Sequence, residues 1–130
     1  MEEILIVIQH ENWKRIKSGI QTMEVRKTKP TRIYYPFRAI VYVEEIGVVG
    51  KFDCDSIIQT IRPQYYEGEG LTCLTSDELL EYAAGDPICI WKVQKNSVVE
   101  YEIPFPIERA TGLKQPPQSW RYLNRDYAYE

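Results

Sequence analysis

The chain has 130 residues, the usual size of one domain. Hydrophobic residues make up 44% and charged residues 27%, which excludes a disordered or low-complexity chain. The formal net charge of −3, taken as a total, argues against a nucleic-acid binder, because such domains are usually basic.

Ile4 to Gln9 reads as a buried strand. Its apolar run, Ile4 to Ile8, falls far short of the roughly 18–20 residues that span a bilayer. Glu2 and Glu3 precede it, where a signal peptide would carry positive charge. The expectation is a cytoplasmic chain with no membrane partner. His10 to Ser18 follows as a short helix, with Trp13, Ile16 and Ile20 spaced to face the core and Gly19 placed to end it. Thr22 to Arg26 alternates as a strand, with Met23 and Val25 on one face and Thr22, Glu24 and Arg26 on the other.

Pro30 and Pro36 bracket an irregular stretch. Arg38–Glu44 and Val48–Ile57 are strand candidates. Gly47-Val-Val-Gly50-Lys51 does not make a phosphate loop, since Glu45 stands where the first glycine belongs and no Ser or Thr follows Lys51. Asp53 and Asp55 read as the wet face of a strand, with nothing nearby to complete a cation site. Residues 62–74, with Pro63 and a Glu-Gly-Glu-Gly run, read as a loop. Thr75-Ser-Asp-Glu78 matches a capping box, which predicts a helix over 76–84 with Gly85 as its stop. Ile88–Val93 and Val98–Ile103 predict a hairpin turning at Lys95-Asn96-Ser97. Gly112–Tyr122 is a proline-containing segment, and the polar residues 124–130 are expected to fray.

Five or six short strands with two small helices, without regular alternation, predict one α+β, mostly β domain across 1–130. Cys54, Cys73 and Cys89 form no CxxC pair, and an odd count is a poor disulfide framework. They are expected to be buried or half-buried free thiols. With His10 as the single histidine, no metal site and no cofactor are expected.

The total charge hides a pattern. Residues 13–38 carry eight basic groups and one acid, Glu24, for +7. Residues 39–88 carry two basic and ten acidic groups, for −8. The basic block is interleaved with Trp13, Tyr34, Tyr35 and Phe37, and basic groups beside aromatic faces suit single-stranded nucleic acid. The other reading is a solvated helix face and basic loop neutralised by the acidic half.

Ser18-Gly-Ile-Gln-Thr-Met-Glu-Val-Arg-Lys27 resembles the signature of the ASCH domain family in the PUA-like superfamily, roughly Gly-x-Lys-x-x-Glu-x-Arg after a short helix. Gly19, Glu24 and Arg26 match it. Val49-Gly-Lys-Phe52, Leu74-Thr-Ser-Asp-Glu78 and Gly112-Leu-Lys-Gln-Pro-Pro-Gln-Ser-Trp120 resemble the family in the same order. The resemblance implies a PUA-like six-stranded β-barrel with short flanking helices, and a cleft where the signature strand meets the first helix. It implies an RNA- or modified-nucleotide-binding module with a basic cleft, with roles in RNA metabolism or in transcription or translation. Lys17, Gln21, Glu24, Arg26, Lys27, Gln118 and Ser119 are the candidate binding residues.

Gln21 stands where the family has lysine, and an amide cannot titrate as a lysine does. Some small family members are ribonucleases or hydrolyse an N4-acetylcytidine-type amide. In this chain that chemistry would need Glu24 or Glu44 as base, with Ser119 or Tyr122 assisting. Trp120 is expected to close the barrel bottom rather than stack on a ligand. A protein-interaction domain is the third reading, its acidic face built from Glu67, Glu69 and the 76–84 helix.

Overall fold

The structure is a computed structural model, and it describes residues 1–123. Seven strands and three helices follow the chain as β1 (Glu3–Val7), α1 (His10–Ser18), β2 (Met23–Arg26), β3 (Phe37–Val43), β4 (Gly47–Thr60), α2 (Ser76–Ala83), β5 (Ile88–Val93), β6 (Val99–Phe105), α3 (Ile107–Thr111) and β7 (Trp120–Leu123). The fraying expected for 124–130 lies outside the described residues.

The class is α+β and mostly sheet, as the pattern of elements predicts. The barrel detail needs correction. Among the described residues there are seven strands rather than six, and the ladder runs β2-β5-β4-β3-β1-β7 with β6 paired to β4, so its two ends do not join by backbone bonds. β1 and β3 pair in parallel, because the chain between them is taken up by α1 and β2.

Local rules explain most elements. α1 buries Trp13 and Ile16 and ends at Gly19, whose φ of 83° lets its N–H return to the last turn. Ile20 is 41% exposed rather than in the core, because the reversal at Gly19 takes it off the helical spacing. α2 carries the expected capping box: Thr75 accepts from the Glu78 N–H, and Glu78 accepts from the Thr75 N–H. Its left-handed cap is Ala84 at φ 51°, one residue before the expected Gly85.

The hairpin at 95–97 does not form. β5 and β6 follow one another along the same side of β4, with Cys54 opposite Val93 and Lys51 opposite Val99. The Lys95–Ser97 turn is a single 3₁₀ turn inserted into that path. Ser97 Oγ accepts from the Asp53 N–H at 2.7 Å, and Asp53 O accepts from the Gln94 N–H at 2.8 Å. Those two bonds satisfy β4 across the break, so the chain continues instead of reversing.

The main core lies inside the curled sheet, with Trp13, Phe37, Phe52 and Trp91 buried among Ile4, Ile6, Ile8 and Ile16. Full burial of each such side chain contributes about 1.5–3 kcal/mol. Among the described residues, no helix is long and apolar enough to cross a membrane.

Cys54 and Cys89 are buried free thiols and Cys73 is half-buried. Burial pushes the Cys54 thiol from its ordinary 9.0 up to about 12, and pushes Cys89 up as well. The folded state therefore favours the neutral thiol. That contribution to stability is complete below pH 9 and is lost as pH rises from 9 towards 12. The melting temperature should begin to fall above pH 9, and a thiol reagent at pH 8 should modify Cys73 well before Cys54 or Cys89. Equal labelling rates for all three thiols would contradict the burial.

Candidate functional site

β2 sets Glu24 and Arg26 two residues apart, so both side chains leave the same strand face. The Arg26 guanidinium reaches across the gap between the two ends of the sheet. Its NH2 donates to Val7 O at 2.6 Å and to Glu24 Oε2 at 3.1 Å. Its NH1 donates to Ser119 Oγ at 3.0 Å and to Ser119 O at 3.3 Å. The four terminal N–H groups thus tie β2 to the end of β1 and to the residue before β7. A side chain bridges the ends that the backbone ladder leaves open.

Glu24 is 4% exposed. A carboxylate taken out of water to that extent is costly unless paired. Arg26 binds one of its oxygens, and the Gln21 amide nitrogen lies 3.3 Å from the other. Gln21 also donates to Met23 O at 3.0 Å and is 3% exposed. At the signature lysine's position this chain therefore has a buried amide that supports Glu24 from behind. The third matched signature residue, Gly19, supplies the left-handed cap that turns the chain from α1 towards β2.

Beside this pair opens a cleft of about 1080 Å³. Glu24, Arg26, Lys27, Gln118 and Ser119 all line it. Gln21 does not line it, and neither does Lys17, which pairs with Glu100 on β6. Lys27 donates to the Tyr82 carbonyl, and its ammonium lies 4.2 Å from the Tyr82 ring centroid, tying the end of β2 to α2.

The cleft is not basic, which corrects that expectation. Its wall holds three carboxylates, Glu24, Glu44 and Glu45, against two cations, Arg26 and Lys27. Other cations of the +7 block are taken up by partners of their own. Lys14 lies 3.6 Å from Glu11, Arg15 donates to Asn12 Oδ1 at 2.7 Å, and Arg38 lies 3.7 Å from Glu3 and 3.8 Å from Asp53. A run of like charge in sequence is spread by α1, β2 and β3 onto different faces.

Asn12, Thr28, Glu45 and Tyr82 also line the cleft without having been candidate site residues, and so does His10, the single histidine, for which the sequence favours a capping or packing role. His10 and Asn12 stand on the first turn after β1, and that strand-to-helix junction was the available signal. Tyr122, expected to assist, is not among the lining residues. Its hydroxyl accepts from the Thr31 and Arg32 N–H groups. Trp120 takes the packing role: its ring stands 5.9 Å from Trp91 and 5.3 Å from Tyr122, and its indole N–H donates to Thr28 Oγ1.

No family profile and no curated protein matches the chain. Solved structures do. The ASCH protein of Zymomonas mobilis is similar with a TM-score of 0.76 at 21% identity, over 98% of this chain and 91% of that one. Its tyrosine-to-phenylalanine mutant is similar with a TM-score of 0.77 at 19% identity, over 99% and 95% of the two chains. Its serine-to-alanine mutant gives 0.76 at 19% identity, over 98% and 92%. This chain has the fold of the ASCH proteins.

Proposed function

We propose that the chain is an ASCH domain whose cleft binds a nucleobase, presented by a modified nucleoside, a nucleotide or RNA. The observation that carries this reading is Glu24. It is a nearly buried carboxylate fixed by Arg26 and Gln21 in the wall of an open cleft. Each carboxylate oxygen offers about two acceptor sites, so one fixed neighbour on each leaves capacity for a ligand's N–H. Exocyclic amino groups of cytosine, adenine and guanine are such donors, and Glu pairing with the cytosine amine is a known geometry. An N-acylated amine retains one N–H and fits the same acceptor.

Ser119 Oγ accepts from Arg26 and keeps its own proton for a ligand acceptor. Val7, Ile8, Val25 and Val43 supply apolar wall for the base. The mixed charge of the wall suits a base better than a row of phosphates. Binding is favoured over hydrolysis because Ser119 faces a guanidinium rather than a base, and because Gln21 cannot take up a proton.

Calorimetric titration with cytidine, N4-acetylcytidine and uridine tests the reading. Either cytidine should bind at least tenfold more tightly than uridine, since one good pair contributes about 1–3 kcal/mol of discrimination. Glu24→Gln should erase most of that preference. Equal affinity for the three nucleosides, or none, would overturn it.

A further inference from the structure

Next to the cleft, the chain from Lys27 to Tyr35 carries three cations, Lys27, Lys29 and Arg32, and no acid. Its first two residues, Lys27 and Thr28, are already part of the cleft wall. Its far end presents two aromatic rings to solvent: Tyr34 is 85% exposed and Tyr35 is 43% exposed. A single exposed tyrosine needs no explanation. Here two in succession stand on a backbone held in place.

The backbone here is held at several points. Tyr122 Oη accepts from the Thr31 N–H at 2.9 Å and the Arg32 N–H at 3.1 Å. Glu2 Oε2 accepts from the Tyr34 N–H at 2.8 Å. Thr28 accepts from two indoles, Trp91 onto its carbonyl and Trp120 onto its hydroxyl. Ile33 packs against the main core. The segment has no regular secondary structure, yet it is fixed at several points to Glu2, β5 and β7.

A line of rings running through the core, by way of the buried Phe37 and Trp91, bounds the distance between the two features. Tyr35 packs on Phe37, Phe37 on Trp91 and Trp91 on Trp120, with centroids 5.5, 5.7 and 5.9 Å apart. The Tyr35 ring therefore lies within about 17 Å of the Trp120 ring, which adjoins cleft residue Ser119. A few nucleotides of an extended strand cover that span, well inside the roughly 4–16 nucleotides that a small single-strand-binding fold occupies.

We infer that residues 29–35 form a second subsite, a ledge for single-stranded RNA, on which the bases flanking the one in the cleft stack against Tyr34 and Tyr35. Lys29 lies between cleft and rings in sequence, where the connecting phosphates would run. The inference rests on the cleft reading and deepens it: the ligand is one nucleotide within a strand rather than a free nucleoside. A fixed aromatic face gives stacking without base identity, so the ledge adds affinity and the cleft adds selectivity. Placing the phosphates outside the cleft also agrees with a cleft wall that carries more carboxylates than cations.

The test compares cytidine with a labelled eight-nucleotide single-stranded RNA containing one cytosine, by calorimetry and fluorescence anisotropy respectively. The RNA should bind at least tenfold more tightly than cytidine, and its affinity should fall as salt rises. Tyr34→Ala should weaken the RNA between about fivefold and a hundredfold and leave cytidine unchanged. Tyr34→Trp, which keeps a ring, should hold the affinity of the native chain. Tyr34 is exposed enough that these variants fold as the native chain does, and a melting curve verifies that.

RNA no tighter than cytidine, or an unaffected Tyr34→Ala, would overturn the ledge while the cleft reading stands. Loss of cytidine and RNA binding together in Tyr34→Ala would also overturn it, because the ring would then act on the cleft itself. The reverse result, tyrosine-dependent RNA binding with no affinity for cytidine, would support the ledge and remove the cleft reading.

Discussion

Arg26→Ala should lower the unfolding free energy by about 3–5 kcal/mol, the usual cost of stripping one partner from a buried ion pair. The substitution leaves Glu24 without its cation in a site where the carboxylate side chain is 5% exposed. It also removes the donor from the Val7 and Ser119 carbonyls and unlinks β2 from β1 and β7. Arg26→Lys should recover only a small part of the loss. An ammonium keeps the charge but cannot span Glu24, Val7 and Ser119 with one rigid fork. Adding Glu24→Gln to Arg26→Ala should recover stability, because the unpaired charge is then gone. Urea unfolding of the three variants measures this. A cost below about 1 kcal/mol for Arg26→Ala would mean that the bridge does not hold the sheet ends together.

Gly50→Ala should be comparably damaging for a different reason. A Cβ at Gly50 would sit 2.2 Å from Val99 O and 2.7 Å from Trp13 Cζ2. The carbonyl belongs to β6, which pairs at this point with β4, and the indole is part of the buried core. Neither can step aside as the tip of a flexible side chain would. Overpacking of cores costs about 1–3 kcal/mol, and this position should reach the top of that range or pass it. Hydrogen exchange should show the amides of 99–105 losing protection before those of β3. Native-like protection of β6 in Gly50→Ala would contradict the close approach.

Gly50 and Arg26 also mark what was legible in the sequence. α1, α2 and six strands follow from periodicity and caps, and their bounds differ from expectation by a few residues. The signature residues Glu24 and Arg26 do meet, because two positions on one strand share a face. Tertiary placement was not legible. The charge block reads either as one basic surface or as a solvated face neutralised by acids, and in the fold α1 turns Lys17 to β6 while β3 carries Arg38 to Glu3 and Asp53. The turn at Lys95–Ser97 looked like a hairpin because polar residues separate two apolar runs. Only the long strand β4, with room for two partners end to end on one side, makes the chain continue. Glu44, a candidate base beside Glu24 in the hydrolase reading, does reach the cleft, and Glu45 joins it without a sequence signal. Glu44 and Glu45 follow β3, far in sequence from Glu24, and only the folded sheet brings them to the same wall.

Arg26 changes meaning between the two levels as well. From the sequence alone, an arginine on this strand face can grip phosphate or a base edge with its fork, or pair with Glu24. In the fold its four terminal N–H groups are committed to Glu24, Val7 and Ser119. It lines the cleft and also holds a carboxylate and a hydroxyl in the same wall, so its loss should cost stability and binding together. Glu24→Gln separates the two effects, because the amide keeps the shape and removes the charge.

The most direct measurement is an amide chemical-shift titration of the native chain with cytidine. Shifts should concentrate at Glu24, Thr28, Gln118 and Ser119, saturate together, and vanish in Glu24→Gln. Saturable shifts confined to the opposite face of the sheet, around Tyr101 and Arg109, or no shifts with either cytidine or RNA, would contradict a base-binding cleft.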